Sequence, residues 1–373
     1  MIQKHANASK VRVLVIDDSA LARKIISTGL ASDPRIEVIG SVGNPTNAFE
    51  IIKKQHPDVI TLDIEMPGMD GITFLKKLLP VYPIPAIIIS SLAEHGKKMA
   101  LDALEAGAVD IVTKPKVGIM DGLPVLMDDV CERVIAASKI NVGFSAKPYS
   151  SNANSHDFHE TSPQLGLQST VTDENNALHV TTDRVIAIGA SAGGVAALAR
   201  IIPMFPANSP GIVIVQHMPG GFTGSFASRL NDLSEMEVKE AQHGDRIRTG
   251  LVLLAPGGDY HTQVVRSGGE YHIALIKGEK VSGHRPSVNV LFHTVAKNVG
   301  RNASAALLTG MGDDGANGLL EIRMAGGHTL VQDEQTSVVF GMPGAAWKRG
   351  AAETVLPIDD IPAYLLKTIK AVS

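Results

Sequence analysis

Apolar residues recur along this chain in short unbroken runs, separated by stretches with helical spacing. The run 11–16 is apolar except at Arg12. That is the character of a strand buried on both faces of a parallel sheet. Over 20–31, Leu21, Ile25, Ile26 and Leu30 fall on one helical face. The alternation repeats with strands at 36–40, 59–62, 86–90 and 110–112, and helices at 48–55, 72–79, 97–106 and from 123 to about 140. Strands that alternate with helices in this way predict a doubly wound parallel sheet of the α/β class.

Between 141 and 182 the pattern is lost. Ser, Asn, Thr, Gln and His dominate, with Pro148 and Pro163, and no apolar period is sustained. The segment reads as an interdomain linker. A second alternation starts with strand 185–189 and helix 194–202, then strand 212–216, helix 224–233 and strand 237–240. The runs 251–255, 262–266 and 272–276 lie closer together and read as shorter, partly antiparallel strands. Helix 287–299, strand 303–308, helix 315–325 and strand 328–332 follow. The expected organisation is a five-stranded doubly wound domain over 10–140, a linker over 141–182, and an α/β domain with a β-hairpin insertion over 183–373.

Composition narrows the function classes. At 373 residues the chain exceeds one typical domain, and 44% hydrophobic residues suffice for large cores. The net charge of −4 gives no electrostatic footprint for nucleic acid, and no polybasic run suggests a membrane surface. The first ten residues are polar and lack the apolar core of a secretory signal. The most apolar uncharged stretch, 185–199, is broken by glycines and falls short of the roughly 20 residues a spanning helix needs. A soluble cytoplasmic protein with no membrane insertion is expected. The single cysteine, Cys131, permits no intrachain disulfide. It stands at helical spacing with Leu126, Val130 and Val134, as a buried helix residue does.

The first sheet carries chemistry at its strand ends. Asp17 and Asp18 follow the first strand, Asp63 the third, Ser90 the fourth and Lys114 the fifth. Carboxyl ends of parallel strands converge on one crevice. A lone strand-end Asp is ordinarily a helix cap, an account that fails for five such residues at four strand ends. Three clustered carboxylates need a cation, and an all-oxygen set suits Mg²⁺. A carboxylate there can accept a phosphoryl group. Lys114 and the Ser90 hydroxyl can then meet the phosphoryl oxygens.

With these residues, with Lys114-Pro115, and with Asp63 inside Leu62-Asp-Ile-Glu-Met-Pro-Gly-Met-Asp-Gly71, the region from 10 to 133 resembles the response-regulator receiver domain. The resemblance implies Asp63 as phosphoacceptor. It also implies a Mg²⁺ held by Asp18, Asp63 and the Glu65 carbonyl, with Asp17 acting partly through water. Many receivers carry an aromatic switch residue three positions before the lysine; here that position is Ile111.

The second half carries a different constellation. Gly189-Ala-Ser191-Ala-Gly193 lies between a strand and a helix, the pattern of a nucleophile elbow. The helix start behind Ser191 offers N–H groups, Ala192 among them, to a developing oxyanion. A phosphate cradle is the weaker alternative, because a dinucleotide fingerprint needs glycine where Ser191 stands. Among 13 histidines, His217 is the best candidate base, since it follows the next apolar strand on the same sheet edge. Asp313 or Asp314, after strand 303–308, would orient the imidazole or simply cap a helix. The residue types alone leave that choice open. The chain order Ser…His…Asp differs from that of α/β-hydrolases.

From 184 to about 366 the chain is similar to the catalytic domain of the chemotaxis protein-glutamate methylesterases, the CheB family. The matching segments are Ile188-Gly-Ala-Ser-Ala-Gly-Gly194, Val215-Gln-His-Met-Pro219, Leu254-Ala-Pro-Gly257 with His261, Arg285-Pro-Ser-Val288, Leu308-Thr-Gly-Met-Gly-Asp-Asp-Gly315, Gln332-Asp-Glu334 and Val338-Val-Phe-Gly-Met-Pro343. The resemblance implies Ser191 as nucleophile, His217 as base and Asp314 as orienting acid, with the Met311 N–H in the oxyanion hole. It further implies a phosphorylation-activated esterase that demethylates, and deamidates, methyl-accepting chemoreceptors. The phosphodonor would be a chemotaxis histidine kinase, and the ester step would need no cofactor. The competing class is a regulator whose second half only binds a partner, and an ester assay separates the two.

Overall fold

In a computed structural model of the chain, residues 10–90, 93–114, 123–140 and 184–370 are described. The expected linker, 141–182, and Pro115 lie outside them. The strand β1 (Val11–Ile16) shows why continuous apolar runs become central strands. Val13 and Val15 enter one cluster with Ile26 and Leu30 of α1 (Ala20–Ala31) and Val130 and Val134 of α5 (Leu123–Ala137). Leu14 and Ile16 enter another with Ile52 of α2 (Pro45–Gln55), Phe74 of α3 (Gly71–Leu78) and Leu101 of α4 (Glu94–Glu105). Alternating side chains thus feed two faces, both covered by helices. With β2 (Ile36–Val42), β3 (Val59–Leu62), β4 (Ala86–Ser90) and β5 (Asp110–Thr113), β1 forms a parallel sheet in the order β2-β1-β3-β4-β5. Helix α2 starts earlier than its apolar stripe, because Asn44 caps it and Pro45 opens its first turn. Cys131 is buried on α5, where burial pushes its thiol up to about 11.

The second sheet is built from β6 (Val185–Ala190), β7 (Gly211–Gln216), β8 (Glu237–Glu240), β10 (Leu251–Leu254), β13 (Ala303–Leu307), β14 (His328–Gln332) and β15 (Thr354–Leu356). Its order is β15-β14-β13-β6-β7-β10-β8, and every pairing is parallel. The strands β9 (Arg246–Ile247), β11 (Tyr260–Ser267) and β12 (Glu270–Lys277) form the expected antiparallel insertion. One expectation is corrected. The run 251–255 does not join the antiparallel strands; β10 sits between β7 and β8, with all of Leu251–Leu254 buried. A strand apolar at every position fits between parallel neighbours covered on both faces, whereas its nearness in sequence to the hairpin carries no pairing information.

The helices of this half are α6 (Gly194–Ile201), α7 (Thr223–Leu233), α8 (Val288–Asn298) and α9 (Ala316–Met324). Two more, α10 (Met342–Lys348) and α11 (Ile361–Lys370), lie past the last predicted element. The first sheet's α4 packs against α6 and α7. There Arg229 of α7 donates to both Asp102 and Glu105 of α4, and the two carboxylates raise its pKa against the opposing effect of burial.

Candidate active site and phosphoryl-acceptor site

Strand order reverses at β6, with β7 on one side and β13 on the other. Crevices form at such reversals, outside the carboxyl ends of the strands. Ser191 directly follows β6, His217 directly follows β7, and Asp314 stands on the turn between β13 and α9. Three adjacent strands therefore deliver the three residues.

The turn after β6 is tight. Gly193 has φ 77°, and a Cβ there would lie 2.6 Å from the Val338 Cβ, so both backbone and space demand glycine. A Cβ on Gly310 would lie 2.8 Å from that of Ser191, so Gly310 lets the segment leading to Met311 pass against the serine. The Ser191 amide donates to the Thr309 carbonyl at 3.0 Å. The Ser191 carbonyl accepts from the Gly194 amide at 2.8 Å and from Gln216 Nε2 at 2.9 Å. Gln216 Nε2 also donates to the His217 carbonyl at 3.0 Å, so one buried side chain ties the serine turn to the histidine.

The His217 ring is buried, with Nε2 2.8 Å from Asp314 Oδ2. Its Nδ1 is also buried and has no hydrogen-bond partner among the described residues. With the proton on the nitrogen that faces the carboxylate, the Nδ1 lone pair is free to take a proton. His284 stacks on the same ring, its centroid 3.7 Å away and its plane tilted by 11°.

Asp314 is fixed from several sides. Oδ1 accepts from the Ser287 hydroxyl at 2.8 Å and the Asn289 amide at 3.1 Å, and Oδ2 from the Val288 amide at 2.7 Å. The carboxylate thus sits on the N-terminus of α8, where the helix dipole favours it. Burial works to raise its pKa, but the hydrogen bonds from His217, Ser287 and Val288 outweigh burial and hold it below the usual carboxylate range. Asp313, the other candidate, is exposed and paired with Arg349 at 2.6 Å. Of the two, only Asp314 meets His217. Ser287, read from the sequence only as the first residue of helix 287–299, is the cap of α8, and a serine before an apolar helical run is the signal that could have shown it; His284 had no local signal.

A cavity of about 470 Å³ opens at Ser191, lined by Met311, Gly312 and His284 and by Asp129 and Arg133 of α5. On the other side, Leu104, Val109 and Ile111 close on Ser191 and His217 and leave a void of about 10 Å³. The Val109 carbonyl accepts a hydrogen bond from the Gly193 amide at 3.3 Å. Of the expected oxyanion donors, Ala192 is buried in the turn and Met311 faces the larger cavity.

At the first sheet's carboxyl edge, one carboxylate oxygen from each of Asp17, Asp18 and Asp63 lies within 4.8 Å of the others. Asp17 and Asp63 are buried, Asp18 is exposed. Lys114 Nζ reaches Asp63 Oδ2 at 2.7 Å and Asp17 Oδ2 at 2.9 Å. Burial raises the Asp63 pKa, with Asp17 adding to the rise and Lys114 opposing it. The Lys114 amide donates to the Ser90 carbonyl at 2.7 Å, while the Ser90 hydroxyl donates to the Gly96 carbonyl at 3.2 Å rather than toward Asp63. Glu65 lies on the loop after β3, its amide 3.4 Å from Asp63 Oδ1. Convergent, all-oxygen donors with one exposed side fit a hexacoordinate Mg²⁺ that keeps several waters.

Comparison with known proteins places both halves. Residues 186–365 match the CheB methylesterase family model, and residues 13–118 match the response regulator receiver domain model. The protein-glutamate methylesterase/protein-glutamine glutaminase of Syntrophotalea carbinolica is 50% identical over 353 residues, covering 94% of this chain and 96% of its own. That of the group 2 operon of Cereibacter sphaeroides is 46% identical over 366 residues, covering 98% of this chain and 94% of its own. The crystal structure of the Thermotoga maritima CheB methylesterase catalytic domain is 40% identical and covers 50% of this chain and 98% of its own, with a TM-score of 0.48. With both family models matched in order, and a relative sharing half of its positions over nearly the whole length, this chain belongs to the CheB family of protein-glutamate methylesterases/protein-glutamine glutaminases, which joins a receiver domain to a methylesterase domain.

Proposed function

We propose that this chain hydrolyses glutamate methyl esters, and the side-chain amide of glutamine, on chemoreceptors, and that phosphorylation of its receiver switches the activity on. The observation that carries the hydrolytic reading is the His217–Asp314 pair beside the Ser191 turn. Ser191 Oγ attacks the ester carbonyl carbon while His217 Nδ1 takes the hydroxyl proton. Asp314 holds Nε2–H and stabilises the imidazolium that forms. The negative oxygen of the tetrahedral intermediate is met by the Ala192 and Met311 N–H groups. As that intermediate collapses, His217 returns the proton to the methoxy oxygen and methanol leaves. Water then adds to the acyl-serine by the same steps, regenerating Ser191 and a free glutamate. For glutamine the leaving group is ammonia.

The receiver reading takes Asp63 as the phosphoryl acceptor, Lys114 as the cation that meets the phosphoryl group, and Ser90 as a hydroxyl that turns toward it. Asp17, Asp18, Asp63 and the Glu65 carbonyl would hold Mg²⁺, which when bound offsets phosphoryl charge. The domains run 10–140 and 183–373, joined by the linker 141–182. The gating reading is supported by Val109 and Ile111, which with Ser191 and His217 enclose a void of only about 10 Å³, and by the hydrogen bond from Gly193 to Val109. Phosphorylation would weaken this docking. The setting is the cytoplasm, and the phosphodonor is a chemotaxis histidine kinase. Among the described residues, no helix is long and apolar enough to cross a membrane.

The test is methanol release from methylated receptor. Ser191→Ala should lower it by about a million-fold, the scale of losing a triad nucleophile, with the melting temperature unchanged. Near-normal release by that variant would end the serine mechanism.

A further inference from the structure

The loop before α8 does more than cap Asp314. Residues Val281 and His284 exchange two backbone hydrogen bonds of 3.0 Å across Ser282 and Gly283, whose φ values are 52° and 80°. That is a tight two-residue turn. Arg285 next to it donates to the Gly258 carbonyl at 2.8 Å and the Gly278 carbonyl at 2.6 Å. The Ser287 amide then donates to His261 Nδ1 at 3.2 Å. The loop is therefore pinned at both ends, and it presents the His284 ring flat on His217. The same short segment supplies Ser287, Val288 and Asn289 to Asp314. One loop grips both the carboxylate and the face of the imidazole that the carboxylate orients.

We infer that His284 is a positioning residue for the hydrolysis: it fixes the plane of the His217 imidazole on Asp314 and lays its ring face against the imidazolium that forms when His217 takes the serine proton. The inference rests on the reading of His217 as base. Stacking forbids rotation of the His217 ring out of the plane in which Nε2 meets Asp314 Oδ2. An uncharged ring offers its π-face to a cation, whereas a charged one would repel it. The surroundings keep His284 uncharged. Burial is the main cause and His217 the next, with Arg133 and Lys280 adding to them and Asp314 opposing, so its pKa falls to about 3.

The experiment uses the full chain with Mg²⁺ and a small phosphodonor, and follows methanol release from methylated receptor in membranes. His284→Ala should lower kcat by roughly ten- to a hundredfold, the scale of a misplaced catalytic group, with KM nearly unchanged. His284→Phe restores a flat, uncharged ring and should recover kcat to within a few-fold of the parent. ¹⁵N chemical shifts of the His217 ring should report one tautomer in the parent and in His284→Phe, and a mixture in His284→Ala. A kcat for His284→Ala close to the parent's would overturn the inference. So would a folded His284→Phe as slow as His217→Ala, which keeps the question answerable if the alanine variant does not fold. The control is His217→Ala itself: if it remains active, the base assignment fails and not merely the role of His284.

Discussion

At the residue scale, the two sites set different tasks for buried carboxylates. Asp314 must stay ionised, and its donors hold its pKa low. A carboxylate with a depressed folded pKa contributes stability above its unfolded pKa of about 3.9, and that contribution is lost as pH falls through the lower folded value. Asp314→Asn should therefore be less stable than the parent at neutral pH, by about 1–3 kcal/mol for donors left poorly matched. Urea unfolding at successively lower pH should show the gap narrowing in the acid range. A gap that stays constant with pH would mean that Asp314 is not held ionised by its neighbours. In the proposed phosphotransfer, Asp63 would also be ionised but would act as a nucleophile, and Lys114 at 2.7 Å stands where phosphoryl charge would arrive. With a small phosphodonor and Mg²⁺, the parent should gain one base-labile phosphoryl group and Asp63→Asn none, read by intact-protein mass. Labelling that survives the substitution would place the acceptor elsewhere.

At the element scale, α8 is the part that couples fold to chemistry. Ser287 caps it, accepting from the Val290 amide at 3.4 Å while donating to Asp314 at 2.8 Å. Ser287→Ala should cost about 1 kcal/mol as a lost cap, measured by urea unfolding. It should also lower kcat several-fold while leaving KM in place, because Asp314 loses one of the groups that aim it. Loss of stability with kcat unchanged would reduce Ser287 to a cap alone. Elements of this kind were legible wherever one local signal decided them. The runs at β1, β3 and β4 have the expected bounds because their side chains are buried on both faces. The placement of β10 was not legible, since strand neighbours are chosen by distant residues. Helix α11 had a readable stripe in Ile361 and Leu365, both buried, whereas α10 combines Met342, Pro343 and Gly344 and has no such period. Among the candidate residues, Ser191 and His217 stood out by strand ends and glycine spacing, and the structure sets them after the adjacent strands β6 and β7. Residue types alone left Asp313 and Asp314 open and the family resemblance chose Asp314, which the structure sets on the α8 N-terminus facing His217; His284 needed the turn that carries it.

At the scale of the whole molecule, the question is what an unphosphorylated receiver does to the enzyme it faces. Its α4–β5 edge meets the turn that carries Ser191: Val109 accepts from Gly193, and Ile111 lines one small void with Ser191 and His217. Ile111 stands where many receivers have an aromatic switch residue, so in the proposed switch a change at Asp63 would reach this edge by moving backbone and α4 rather than by swinging a ring. Arg229 ties α4 to α7 through Asp102 and Glu105. These pairs are partly exposed, and such pairs are each worth about 1 kcal/mol or less. Arg229→Ala should thus raise the unphosphorylated rate by only a few-fold, and Arg229→Glu, which repels both carboxylates, by more. Removing the receiver removes the apolar contacts as well. A fragment of residues 183–373 should exceed the unphosphorylated full chain by roughly 5–150-fold, the range of couplings of about 1–3 kcal/mol, and should ignore phosphodonor. Methanol release from the same receptor membranes measures all of them. A folded fragment slower than the unphosphorylated whole would show that the receiver assists catalysis, and occlusion by Val109 and Ile111 would then be the wrong account of the switch.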